Sequence, residues 1–291
     1  LKKTQKQRQS RAPVSRALCA MEAVLNIPKK LYKYESVSVQ SLVNLKSQTV
    51  YFAPPSGFND PYDCALKAQI AEPTDSEIES LREVYLAKDC PKEVKEKLDK
   101  ASLKELKPGL FRTAKDASEQ IIDNFIRSRG VSCFSEVSDE LLMWAHYADK
   151  YTGFCLEFST NHELFERARK VDYVENIPLL NIKSIYADGD RDEMMNLFCT
   201  KSKSWAYEKE WRVIHSDAGT AYTYPPEILT GVYFGPNMPF EMLEIICLVL
   251  KGQNPHVKLY RGKRSELAFK VEFEEFNYTP YIETPEGSSG T

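Results

Sequence analysis

Apolar positions in the first quarter of the chain fall into short runs separated by turn formers. Leu31 to Tyr34 reads as a strand after Pro28. Ser36 to Lys46 suits a short helix, with Val39, Leu42, Val43 and Leu45 on its apolar side. Val50 to Ala53 is a second strand, broken by Pro54-Pro55. Ser56-Gly57-Phe58-Asn59-Asp60-Pro61 follows as a turn, since Gly, Asn, Asp and Pro each favour turn geometry. Residues 74–129 are charged and lysine-rich, and their pattern predicts a helical insertion of three segments. Thr74 with Glu77 three positions on fits a capping box. Pro91 suits a first helical turn, and the third segment, about Asp116 to Arg129, ends before Gly130.

Strands resume with Val131 to Ser135. Ser138 is expected to cap a helix running to about Tyr151, with Leu141, Trp144, Ala145, Ala148 and Tyr151 as its stripe and Gly153 as its end. Phe154 to Phe158 alternates, Phe154, Leu156 and Phe158 sharing a face. Val171 to Val174 is a further strand and Arg191 to Ser202 a helix. Tyr207 to His215 reads as a strand carrying Glu208, Glu210, Arg212 and Ile214 on one face, with Tyr207, Trp211 and Val213 on the other. Strands near Val232 to Gly235, Val257 to Arg261 and Leu267 to Phe273 follow, with a helix from Pro239 to Lys251 between the first two. Strands and helices do not alternate regularly. The fold class is therefore α+β, with a mixed, largely antiparallel sheet over residues 28–275 as a single domain.

Composition adds little to this picture and excludes several others. At 42% hydrophobic and 28% charged, the chain has ample apolar surface for a core. No apolar run approaches the ~18 residues needed to span a bilayer, so no membrane partner is expected. Seven Cys without metal-type spacing point to a reducing cytoplasm. Net charge is −3, yet residues 1–20 hold six basic groups and no acid, leaving 33 basic against 42 acidic residues elsewhere. That acidic body is a poor footprint for nonspecific nucleic-acid binding. The chain opens with Leu1 and Met21 reads as a natural start, so residues 1–27 are expected to be a disordered or vector-derived leader. Residues 276–291, with Gly287-Ser288-Ser289-Gly290, read as a flexible tail.

Four ordered segments carry a resemblance. They are Leu31-Tyr32-Lys33-Tyr34; Phe58-Asn59-Asp60-Pro61; Met143-Trp144-Ala145-His146-Tyr147-Ala148 with Gly153; and Trp205-Ala206-Tyr207-Glu208-Lys209-Glu210-Trp211-Arg212. Together they resemble the bacterial family called domain of unknown function 2971, over roughly residues 28–275. A second resemblance is to ADP-ribosyltransferase-like folds. It rests on the opening strand, short helix and second strand, and on Glu208-Lys209-Glu210 as a Glu-x-Glu pair. It implies a split sheet, NAD as cofactor, and a first-strand residue at the nicotinamide side. Lys33 or Tyr34 falls there where His or Arg is expected, and Ala53 replaces a polar residue on the second strand.

The chemistry of the pair can be argued from the residues themselves. Breaking a nicotinamide–ribose bond passes through an oxocarbenium-like state that a fixed carboxylate stabilises. Glu210 suits that role, and Glu208 suits the general base that takes a proton from the acceptor. Adjacent carboxylates also push their ionisations apart. Glu-Lys-Glu on a strand equally suits a solvated face balanced by Arg212. His146 is a candidate proton carrier or a structural histidine; Tyr147 stacks on a ring or packs; Trp144 reads as core. Asn59 and Asp60 suit ligand hydroxyls or a self-bonded turn. Arg212 suits a diphosphate or Glu210. Lys33, Tyr34, Ser36, Asn59, Tyr147 and Arg212 are the candidate dinucleotide contacts, with Glu210, Glu208 and His146 as catalytic candidates.

Gly-rich phosphate loops, His-Glu-x-x-His, Cys-x-x-Cys and Gly-x-Ser-x-Gly are absent, and no resident metal is expected. The functional expectation is an NAD-dependent ADP-ribosyltransferase-like enzyme, acting on a protein or nucleic-acid acceptor or on water, as a toxin or antiphage effector. The alternatives are a non-catalytic nucleotide- or protein-binding sensor of a defence system, and a metal-dependent nuclease built on Asp60, Asp63 and the glutamates.

Overall fold

The short apolar runs assemble into one eight-stranded sheet in the computed structural model, which describes residues 27–64, 69–88, 91–186 and 191–280. In chain order the elements begin β1 (Lys30–Glu35), α1 (Val39–Lys46), β2 (Thr49–Phe52), β3 (Gln69–Ile70), α2 (Asp75–Ala87), α3 (Lys92–Lys100), α4 (Leu103–Ser128) and β4 (Gly130–Ser135). They continue with α5 (Leu141–Tyr147), β5 (Phe154–Ser159), β6 (Arg169–Lys170), β7 (Asp172–Val174), β8 (Leu179–Leu180), α6 (Ile182–Tyr186), α7 (Arg191–Leu197) and β9 (Thr200–Ser202). Last come β10 (Glu210–His215), β11 (Thr220–Thr223), β12 (Leu229–Phe234), α8 (Phe240–Gln253), β13 (Lys258–Arg264) and β14 (Val271–Phe276). The expected leader and the Gly-Ser tail, like Cys19 and Cys90, lie outside the described residues.

Strand order is β14-β13-β12-β5-β1-β4-β10-β6. Every neighbouring pair is antiparallel except β12 and β13, which are parallel and joined through α8, as a parallel pair requires a crossover. The mixed, largely antiparallel α+β architecture expected from the pattern is therefore present. Pairing is continuous from Lys30↔Ser159 to Glu35↔Phe154 between β1 and β5, and from Gly130↔His215 to Ser135↔Glu210 between β4 and β10. Between β1 and β4 it shrinks to Tyr32↔Ser135. The sheet opens at that seam.

Period-two alternation sorts the side chains onto two faces. Leu31, Phe134, Phe154, Leu156, Phe158, Trp211, Val213, Val232 and Phe234 form the main core with Leu45 of α1 and Leu243, Ile246 and Leu250 of α8. On the opposite face Tyr34, Cys155 and Tyr233 pack with Met143 and Trp144 of α5. Trp144 is core, as expected, its indole N–H donating to the Ser138 carbonyl at 2.7 Å. Gly153 lets β5 begin beside β1, because a Cβ there would lie 2.3 Å from the Glu35 carbonyl oxygen.

Several boundaries differ from the sequence reading. α4 begins at Leu103, well before Asp116, because Ser102 and Glu105 form a capping box and Pro108 is accommodated inside the helix. The helix after Ser138 is only Leu141–Tyr147, capped by Glu140; Asp149, Lys150 and Tyr151 turn to positive φ and end it early. Arg191 to Ser202 is not one helix but α7 followed by β9, which pairs in parallel with β7. The last strand starts at Val271, four residues later than expected, and Leu267 and Phe269 stand almost fully exposed in the hairpin before it. Val39 and Val43 of α1 also face outward, so the apolar side of that helix is narrower than drawn. No helix among the described residues is long and apolar enough to cross a membrane.

Candidate active site at the seam of the sheet

The opening between β1 and β4 holds a cavity of about 300 Å³. Lys33 and Glu35 of β1, Cys133 and Ser135 of β4, Asn59 and Asp63 of the turn, Tyr147 of α5, Lys201 of β9, and Glu208 and Glu210 all line it. The two glutamates reach it by different routes. Glu210 and Arg212 share a face of β10, as period two requires. Glu208 is not on a strand: residues Lys203–Glu208 form a 3-10 turn, and Lys209 takes a left-handed conformation with φ 43°. Its side chain is therefore brought beside Glu210 by a corner rather than by strand alternation. The corner is pinned by Ser135, whose hydroxyl donates to the Glu208 carbonyl at 2.6 Å, and by the Glu210 N–H, which donates to the Tyr173 hydroxyl at 2.8 Å.

A buried ionic network surrounds the pair. Lys201 Nζ lies 2.6 Å from Glu208 Oε2, 3.2 Å from Asp63 Oδ2 and 3.5 Å from Glu210 Oε2, with its ammonium 4.9 Å from the Trp205 ring centre. Arg212 is fully buried. Its Nε and Nη2 donate to Glu210 Oε1 and Oε2 at 2.7 and 3.0 Å, and its Nη1 to the Phe198 carbonyl at 2.7 Å and Cys64 Sγ at 3.0 Å. Asp63 Oδ1 pairs with Nη2 at 2.7 Å. The guanidinium fork is thereby spent inside the protein, which answers the alternatives for Arg212 in favour of Glu210: it anchors the carboxylate and does not reach a diphosphate.

Three carboxylates against two cations leave one excess negative charge in a place where charge is costly. The two glutamates resolve it unequally. Burial opposes ionisation of Glu210, but Arg212 and Lys201 overcome it and hold the carboxyl down at about 2. Burial pushes Glu208 up to about 7; Lys201 works against that rise and the Glu210 charge adds to it. Tyr147 donates to Glu208 Oε1 at 2.5 Å, and burial raises its own pKa. The arrangement has a fixed anion beside a carboxyl able to take or give a proton near neutrality.

Other sequence candidates fare differently. Lys33 reaches the seam, donating to the Cys133 carbonyl at 3.4 Å with its ammonium 5.5 Å from the Phe134 ring centre. Tyr34 touches the cavity wall, but its hydroxyl is engaged with the Val137 carbonyl at 2.9 Å and its ring stacks edge-on against Trp144, so it holds the strand in place. Ser36 does not line the cavity; its carbonyl accepts from Ser41, inside the cap of α1. His146 is not brought to the carboxylates either: it lies exposed beside Trp205 and Tyr207, ring centres 6.5 and 6.4 Å away. Met143 and Trp144 take the buried face of α5, and His146 falls on the outer one. Asn59 sits on the rim, whereas Asp60 is a turn former, accepting from the Tyr62 N–H at 2.9 Å. Lys201 was missed because Lys-Ser-Lys-Ser reads as solvated surface. Tyr173 reads in sequence as an ordinary position of a short strand, with nothing local to tie it to Glu210. The Lys201 ammonium takes the point where Asp63, Glu208 and Glu210 converge. No group of three His, Cys, Asp or Glu among the described residues is arranged to hold a metal ion.

A profile of the family described as "Protein of unknown function (DUF2971)" matches residues 143–213. Over that segment the chain resembles this family. The DUF2971 segment spans Tyr147, Lys201, Glu208, Glu210 and Arg212, so most of the ionic network falls inside it, while Lys33, Glu35 and Asp63 come from the preceding part of the chain. No curated protein and no solved structure matches the chain.

Proposed function

We propose that the seam binds an NAD-type nucleotide and breaks its nicotinamide–ribose bond, passing the ADP-ribosyl group to a macromolecule or to water. One observation carries the reading: two carboxylates with opposed ionisation share a cavity in the opening of the sheet. Glu210, held ionised by Arg212, faces the positive charge that develops on the ribose. Glu208, ionised in part near neutrality, takes the proton of the attacking acceptor. Lys201 and Tyr147 hold Glu208 in position. Nicotinamide leaves as a neutral base with the bonding electron pair, so no acid is needed on that side. The cavity lies at the small end of the range of roughly 300–1,000 Å³ for ligand sites. It suits one half of a dinucleotide, with the remainder over the rim near Asn59.

Incubating the protein with NAD and following free nicotinamide tests this. Release is expected, and Glu210→Gln should abolish it; an absence of release, or release untouched by that substitution, rejects the enzyme. A second reading is supported by the closeness of Lys201 and Arg212, which already satisfy both carboxylates: a binding module that senses the ligand without consuming it. A ligand that raises the melting temperature and is recovered intact would favour that reading.

A further inference from the structure

The lining of the cavity has a charge preference that the bond-breaking step alone does not require. Glu35, Asp63, Glu208 and Glu210 face it, against Lys33 and Lys201. Counting buried Arg212 behind them, carboxylates outnumber cations four to three when Glu208 is ionised, the form that an incoming cation favours. Glu35 is the least satisfied of the four. Its nearest cation is Lys33 Nζ at 3.8 Å, beyond hydrogen-bond reach, and that ammonium is drawn towards the Cys133 carbonyl and the Phe134 ring. Burial raises the Glu35 pKa, with Lys33 acting against the rise. Aromatic surface from Tyr32, Tyr51, Phe58, Phe134 and Tyr147 completes the lining. At the start of α1, where a phosphate would look for N–H donors, two are already engaged: the Ser41 N–H donates to Ser38 Oγ at 3.0 Å and the Ser38 N–H to Ser41 Oγ at 2.9 Å. Rings and carboxylates together attract a cation, through the ring faces and by direct pairing, and repel phosphate.

We propose that the cavity admits the cationic base-and-ribose part of its ligand and keeps phosphate outside, so that its substrates are cationic N-glycosides, including a nucleoside with no phosphate. Glu35 recognises the positive ring or its amide donors. The inference rests on the N-glycosidic reading above. In the reaction on water, the C1′–N bond breaks with its electron pair going to the ring, which leaves uncharged. A water oxygen bonds to C1′, and its proton passes to Glu208.

Nicotinamide riboside is the probe, with its uncharged reduced form and ADP-ribose as comparisons, read by melting temperature, by titration and by released nicotinamide. The riboside should bind, while the reduced riboside and ADP-ribose should bind at least about tenfold more weakly, a difference of about 1.4 kcal/mol. Glu35→Gln should weaken riboside binding by a similar factor while keeping a wild-type melting temperature without ligand. Lys33→Met, which removes a positive charge from the lining, should tighten that binding. A failure of the riboside to bind, equal binding of ADP-ribose, or loss of binding in Lys33→Met overturns the proposal. So does unchanged affinity in folded Glu35→Gln. Binding of the riboside without release of nicotinamide, from it or from NAD, rejects the enzymatic reading and leaves the charge selectivity standing. Release from NAD with no preference for the cationic riboside does the reverse.

Discussion

Arg212 and Lys201 touch the same carboxylate but do different work. Arg212 is enclosed, with the Glu210 carboxylate, Asp63, the Phe198 carbonyl and Cys64 around its fork. Replacing it with Met would leave Glu210 and Asp63 short of a counter-charge in a buried place. Arg212→Met is expected to cost about 3–5 kcal/mol, read from chemical denaturation. Lys201 lines the cavity and holds the Glu208 carboxyl at 2.6 Å, so its removal should act on ionisation as well as stability. Nicotinamide release should rise with pH through about 7 as Glu208 ionises. Lys201→Met should move that midpoint to higher pH, because the nearest stabilising cation is gone; a midpoint that stays put would mean another group titrates. The Glu-x-Glu pair was legible at this scale since its spacing is local. Lys201 and Asp63 were not recognised as its partners, because seven and 145 positions respectively separate them from Glu208 and nothing in their neighbourhoods marks them as buried.

The corner before β10 shows where reading by element succeeds and where it stops. Alternation placed Glu210, Arg212, Trp211 and Val213 on their faces, and the core confirms the apolar pair. Extending the same alternation back to Tyr207 failed, since a 3-10 turn closed by left-handed Lys209 interrupts it. Left-handed backbone costs a residue with a Cβ roughly 1–2 kcal/mol, and glycine is exempt. Lys209→Gly should therefore be stabilising by up to about that amount, and Lys209→Val, β-branched at the same positive φ, should be less stable than the wild type; equal thermal stability of the two variants would remove the corner as an explanation. The hairpin before β14 misled the pattern in another way. Leu267 and Phe269 looked like strand positions because they are apolar, yet each is more than 95% exposed and neither supports the sheet. Changing both to Ser is expected to alter stability by less than about 0.5 kcal/mol per site. The capping box at Thr74 and Glu77 is legible in the sequence, and the same motif at Ser102 and Glu105, equally close, marks a start of α4 well before Asp116.

Over the whole molecule, the opposed glutamates give stability a pH dependence whose sign can be worked out. Glu210 is held below its ordinary 4.5, so the stability it contributes is complete above 4.5 and is lost as pH falls towards about 2. Glu208 is held above 4.5, so its contribution is complete below 4.5 and is lost as pH rises towards about 7. Together they favour the folded chain most near 4.5, with a decline on both sides. Glu208 shapes the neutral limb, and Glu35, whose carboxyl burial also raises, adds to it. Melting temperatures of the wild type should fall between pH 4.5 and 7, and Glu208→Gln, which cannot ionise, should flatten that limb while leaving the acid limb of Glu210 in place. The global architecture was readable as α+β from irregular alternation, but the seam was not, because it depends on β1 and β4 being neighbours 100 residues apart in sequence with only Tyr32 and Ser135 paired. That seam links stability to binding: a cation seated beside Glu208 favours its ionised form and should raise the melting temperature more at pH 7 than at pH 4.5. A ligand that stabilised the chain equally at both pH values would not be sitting against Glu208.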